Sequence, residues 1–225
     1  MSDRAIVGEG SGWQPGGWQG GDAPVLAAFE AAATAFVDLV GRVEGGWHRP
    51  GLGRWDLRAL VGHTARALVT VTTYLDRPAA REDLTTAAAY VGHAGTIGTD
   101  ADDEAVAARG VAAGAALGDD PYAWVARTAD QVLARVRAAD PGALVETVAG
   151  GMRVRTYLPT RTFELVVHGA DVAAAVGLDV DVPPVALREA ALLAAEVALD
   201  RGRGADLLLT LTGRADWPAD LVVVR

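Results

Sequence analysis

The run Arg161-Thr-Phe-Glu164-Leu-Val-Val-His168-Gly-Ala-Asp171 decides how this chain is read. A helix returns to the same face every three or four residues, so Arg161, Glu164, His168 and Asp171 share one side. Between them stand Phe163, Leu165, Val166 and Val167, with Val172 beyond, which marks a packed helix with one polar face. Polar groups on a packed helix need partners. Glu164 and His168 are four apart, a spacing that lets a carboxylate oxygen and an imidazole nitrogen converge on one cation. The competing account is an ordinary i,i+4 pair on a helix surface, with about 0.3–0.5 kcal/mol and no function.

Two ligands are too few for a metal site, and His63 is the candidate third. It sits in Trp55-Asp-Leu-Arg-Ala-Leu60-Val61-Gly-His63, where Leu57, Leu60, Val61, Leu68 and Val71 keep helical periodicity. One His from this helix and Glu-x-x-x-His from the other make a set of two nitrogens and one oxygen inside a bundle. Such a set leaves a coordination position for water or substrate. Of the other histidines, His48 precedes Arg49-Pro50 in a loop, and His93 lies in Tyr90-Val-Gly-His93. Neither has a partner at metal spacing. His93 falls in a region that can fold over the site as a lid, whereas Trp47 and Trp55 read as packing at helix ends.

Working outward, Pro24 to Val43 forms a first amphipathic helix ended by Gly45-Gly46, and about Arg54 to Tyr74 forms the helix of His63. Residues 80–119 are small and polar, with one or two short helices and a break near Gly114–Gly118. Asp119-Asp120-Pro121 opens a long helix to about Ala139. Residues 144–148 and 152–157 alternate around Gly150-Gly151, predicting a hairpin that leads into the Glu164 helix. After Pro183-Pro184 come a fifth helix, about 185–201, and candidate strands Leu207–Thr212 and Leu221–Arg225. The expected organisation is a flexible Gly/Trp-rich tail over 1–22, a helix bundle over 23–180 and a small α/β segment over 181–225. Trp13 and Trp18 in the tail either dock on the body or a partner chain, or have no role.

Composition excludes several classes of function. The net charge of −9 and pI near 4.9 argue against nucleic acid, whose affinity comes from basic patches. There is no cysteine, hence no disulfide, thiolate ligand or cysteine nucleophile, so any thiol chemistry must use a thiol cofactor. No signal-peptide core is seen at the N-terminus and no run approaches a membrane span, so a cytoplasmic protein with no membrane partner is expected. All twenty basic residues are Arg, a bias expected of a GC-rich genome such as an actinobacterial one.

Trp55, Leu60 and His63 at their offsets, then Arg161-x-x-Glu164-x-x-x-His168-x-x-Asp171, and late Leu207-Leu-Leu-Thr-Leu-Thr-Gly213-Arg214, resemble the mycothiol-dependent maleylpyruvate isomerase family. That family is part of the DinB-like metal-binding bundles, and the resemblance covers most of residues 25–215. It implies a mainly α fold: an up-down four-helix bundle with a short β-hairpin and a small C-terminal helix-plus-strands appendage. It also implies a divalent metal, usually zinc, on His63, Glu164 and His168, open to the thiolate of mycothiol. The implied partners are mycothiol and a small electrophile, for S-transfer or isomerisation. Imidazole and carboxylate also suit iron, nickel or manganese. Asp171 is expected to support the ligands or the bundle, and Arg161 to pair with Asp171 or with an anionic substrate.

Family isomerases carry a larger domain after the bundle, which here is replaced by about forty residues, and this favours thiol transfer over maleylpyruvate isomerisation. Two alternatives stay open. One is a hydrolase with metal-activated water, for which only Asp171 is a candidate base. The other is a non-catalytic metal- or ligand-binding bundle, with a homodimer joined through apolar helix faces.

Overall fold

The computed structural model describes residues 17–95, 100–179, 181–218 and 220–222. Trp13 and the expected strand end at 223–225 lie outside them. A 3-10 turn, Gly20–Asp22, leads into α1 (Ala23–Gly41), followed by α2 (Leu57–Leu75), α3 (Ala87–Gly95), α4 (Asp100–Ala116) and α5 (Pro121–Ala138). The hairpin β1 (Leu144–Thr147) and β2 (Gly150–Arg153) precedes α6 (Val154–Val176), α7 (Pro184–Asp200) and α8 (Gly204–Leu211). The protein is mainly α, a DinB-like bundle with, among the described residues, one two-stranded antiparallel sheet.

Each main helix follows from local chemistry. In α1, Phe29, Ala33, Phe36 and Val40 repeat at three and four and are all buried. Asp56 caps α2 by accepting a hydrogen bond from the Ala59 amide at 2.8 Å, and Asp120 does the same for α5 from Ala123 at 2.9 Å. Each cap satisfies an amide that the first turn leaves unpaired. Pro121 at the start of α5 supplies the φ that a first turn needs. Gly177, with φ of 69°, takes the left-handed conformation that stops α6.

α1 and α2 each pack against both α5 and α6, which closes the four-helix ring. α4 runs along the outside of α2, α7 lies on α6 and α1, and α3 touches α6 and α7. The α2–α4 contact is backbone to backbone: a methyl group at Gly62 would overlap the Gly114 backbone, and one at Gly114 would come within 2.9 Å of Ala59 Cα. The break expected near Gly114–Gly118 falls at the end of that stretch, where α4 stops at Ala116 and Gly118 has a φ of 67°. Gly114 itself is a packing residue inside the helix, because the missing side chain is what admits the neighbour. The tail's Trp18 docks on the body, donating its indole N–H to the Val136 carbonyl at 2.8 Å.

Two further expectations are corrected. The second strand stops at Arg153, and Val154 and Tyr157 belong to α6. Val154, Tyr157, Leu158, Arg161 and Leu165 fit a period of three and four, and all five are buried. Helical packing therefore wins over the local alternation. Leu207–Thr212 is not a strand either: α8 covers Gly204–Leu211. Its leucines favour helix, and among the described residues no strand runs beside it to pair with.

One run, Gly20–Gly41, does reach the length and apolarity of a membrane span. It contributes Phe29, Phe36 and Val40 to the core, and its Glu30 is ion-paired to Arg137 of α5 at 2.6 Å.

Candidate metal centre

Because α2 and α6 lie side by side, the three expected ligands meet. One ligand atom from each of His63, Glu164 and His168 lies within 4.8 Å of the other two. The two imidazoles meet edge to face, with centroids 4.9 Å apart at 84°. His168 Nε2 is 3.4 Å from Glu164 Oε2. Bonds of about 2.1 Å place ligand atoms roughly 3.4 Å apart around a tetrahedral cation, so small side-chain rotations would close the group on a metal. The donor set fits a borderline divalent cation and includes no sulfur.

Asp171 completes the arrangement. Its Oδ2 is 3.0 Å from His168 Nδ1, so the carboxylate accepts that N–H and turns Nε2 toward Glu164 and His63. The expected Arg161–Asp171 pair does not form, because Asp171 is committed to the imidazole.

The charges favour a cation. Burial first, and then His168, lower the His63 pKa to about 4 against the opposing pull of Glu164, which leaves a neutral imidazole able to donate its lone pair. Burial works to raise the Glu164 carboxyl, but the hydrogen bond with His168 and the charges of Arg161, His168 and His63 outweigh it and bring it to about 2. For His168, burial works to lower the pKa, and hydrogen bonds and charge from Glu164 and Asp171 raise it. A proton shared among these groups is what a metal ion displaces on binding.

Arg161 is nine-tenths buried, at 9% exposure. Its guanidinium carbon stands 5.0 Å from the Tyr157 ring and 5.4 Å from the Tyr90 ring, and its Nε donates to Thr160 Oγ1 at 3.0 Å. No carboxylate lies within ion-pair distance of it among the described residues. Two aromatic faces and the charge of Glu164 one turn away hold the cation in place. Tyr157 in turn bonds Thr70 Oγ1 of α2 at 2.9 Å.

Trp55 is the site neighbour that sequence reasoning assigned elsewhere. Its ring stacks 4.4 Å from His63, and its indole N–H donates to Ala107 of α4 at 3.0 Å. Gly110 of α4 leaves the room for that ring. Trp55 precedes its helix, so no helical spacing pointed to His63. Tyr157 and Tyr90 were also missed. Tyr157 lies four residues before Arg161, a signal visible once the segment is read as helix. His93 sits on the last turn of α3, exposed and outside the ligand group, and His48 pairs with Asp56 at 3.1 Å at the surface.

Away from this centre, a cavity of about 540 Å³ opens between α1, α6, Asp179 and residues 181–183. It is lined by Leu165, Val166 and Gly169 of α6, on a different face from the ligands. At the packed side of α7, one carboxyl oxygen of Glu189 is buried without a partner, and burial raises this group to about 7 against a hydrogen bond with Thr162.

A helical bundle with two imidazoles and a carboxylate converging between adjacent helices is the architecture of the DinB-like metal-binding class. Within that class, the mycothiol maleylpyruvate isomerase N-terminal domain matches residues 29–173, more than half of the chain, and the chain belongs to that family. The comparisons with curated proteins and with solved structures each found no match.

Proposed function

We propose that the protein is a divalent-metal enzyme that uses mycothiol as thiol cosubstrate against a small electrophile, by S-transfer or by addition and elimination. The convergence of His63, Glu164 and His168 within 4.8 Å carries the reading, together with a family associated with mycothiol. A chain without cysteine must take its thiol from outside. Zinc suits the two-nitrogen, one-oxygen set and, when bound, would stabilise a thiolate near neutral pH.

The chain's own residues would divide the work. His63 and His168 supply neutral nitrogen donors, Glu164 supplies negative charge, and Asp171 takes the Nδ1 proton of His168 as a fixed hydrogen bond. Arg161, held between Tyr90 and Tyr157, has Nη donors not committed to any carboxylate among the described residues, and we assign them to an anionic group of a ligand. α3 borders the site through Tyr90, and a lid role for His93 rests on that placement. The hydrolase reading loses support, because Asp171, its candidate base, is engaged with His168.

Metal content of mildly purified protein, measured by plasma mass spectrometry on wild type and on the His63→Ala, Glu164→Ala and His168→Ala variants, tests the reading. Near-stoichiometric metal lost in all three variants, with mycothiol-dependent consumption of electrophile lost alongside, is the expected result. Wild type that takes up no zinc, iron, manganese or nickel would sink it. Metal-loaded protein that turns over no electrophile with mycothiol would leave a non-catalytic binding bundle. Arg161→Lys should keep the metal and raise KM for an anionic electrophile while leaving a neutral one unaffected.

A further inference from the structure

We propose that the outer face of α7 docks against the same face of a second copy of the chain, antiparallel and two-fold about Leu192. The inner face of α7 is accounted for: Ala186, Ala190, Leu193 and Val197 are buried against the body. The outer face is apolar and open. Val185, Leu192 and Leu199, seven residues apart, are 40%, 49% and 60% exposed, a spacing that aligns them along one side of the helix. Leu199 lies against Gly204 at the head of α8. α8 in turn exposes Leu208 and Leu211 by 63% and 70%, so the apolar surface continues past the end of α7. Large apolar side chains exposed together along one helix face mark an interaction site.

Charge selects the partner and its direction. Arg188 and Glu196 stand four residues before and four after Leu192 in the same row. Both are exposed, and neither has an ion-pair partner among the described residues. A two-fold axis at Leu192 places Leu192 on its copy, Val185 on Leu199, and Arg188 on Glu196, twice over. In a parallel pair each charge would meet its own kind. An isologous contact needs a self-complementary surface, and this row is one. α7 spans roughly 25 Å at 1.5 Å per residue. A standard interface takes about 800 Å² from each partner, so the leucines of α8 are needed as well, and the dimer should dissociate on dilution.

Sedimentation equilibrium of the full chain over roughly two decades of concentration tests this by mass action. The expected mass rises from 23.2 kDa toward twice that value. Leu192→Glu, at a half-exposed position, should stay monomeric with an unchanged helical circular dichroism spectrum. Arg188→Glu and Glu196→Arg should each weaken association at least tenfold, and the double variant should restore it. Wild type that is monomeric throughout, or a dimer unaffected by Leu192→Glu, would overturn the proposal. A double variant no better than the single ones would overturn the antiparallel register.

Discussion

Asp171 shows how one residue away from the ligand group sets what a ligand can do. Its carboxylate, 3.0 Å from His168 Nδ1, keeps the other ring nitrogen turned into the centre. Asp171→Asn should therefore weaken zinc binding about 10- to 100-fold with no loss of fold, as read by competition with a chromophoric chelator. Glu189 makes a separate prediction. Its folded pKa, about 7, exceeds its ordinary value of 4.5, so the folded state binds the extra proton. This group's contribution to stability is full below about pH 4.5 and is lost as pH rises to about 7. The change is on the order of 3 kcal/mol, with the opposing hydrogen bond to Thr162 already included in the value of about 7. Glu189→Gln should match wild type near pH 4.5 and be more stable at pH 8 in urea unfolding. Equal stabilities at pH 8 would show that the carboxylate is solvated there.

At the scale of elements, α2 and α6 were legible because both carry dense apolar periodicity. The ligand set was legible because His63, Glu164 and His168 fall on faces that the periodicity turns toward the core. What escaped depended on contacts between elements. The alternation around Gly150 ran on to Tyr157, yet that ring is buried under Tyr74 and Tyr90, with centroids 5.2 and 5.6 Å away, and only a helix puts it there. The leucines of α8 fit either period, and among the described residues no strand lies beside them to decide for the extended form. Gly114 looked like punctuation because a glycine's meaning lies in what approaches it. Gly62→Ala should cost at least ~2 kcal/mol, since backbone rather than a movable side chain stands in the way. Gly169→Ala, also mid-helix but with nothing within 4 Å of its would-be methyl, should instead stabilise by up to ~1 kcal/mol. Chemical denaturation of the two variants checks both signs.

For the whole molecule, the bundle is held mainly by its apolar core, and the candidate centre joins two of its four principal helices at one point. Zinc at about a thousand times its Kd should add roughly 4 kcal/mol to stability and raise the melting temperature by several degrees. His63→Ala should abolish that shift. A melting temperature indifferent to zinc in wild type would count against the centre. His63 and Glu164 are 101 positions apart (164 − 63), so in topological terms a cation shared by them is a clasp on a ring of about a hundred residues. Parting α2 from α6 would also unseat Tyr157 from Thr70, so the clasp and that bond guard the same seam. All three ligands are only part-buried, so a chelator should reach the cation with the ring still closed, and the rate of removal should rise with chelator concentration rather than level off.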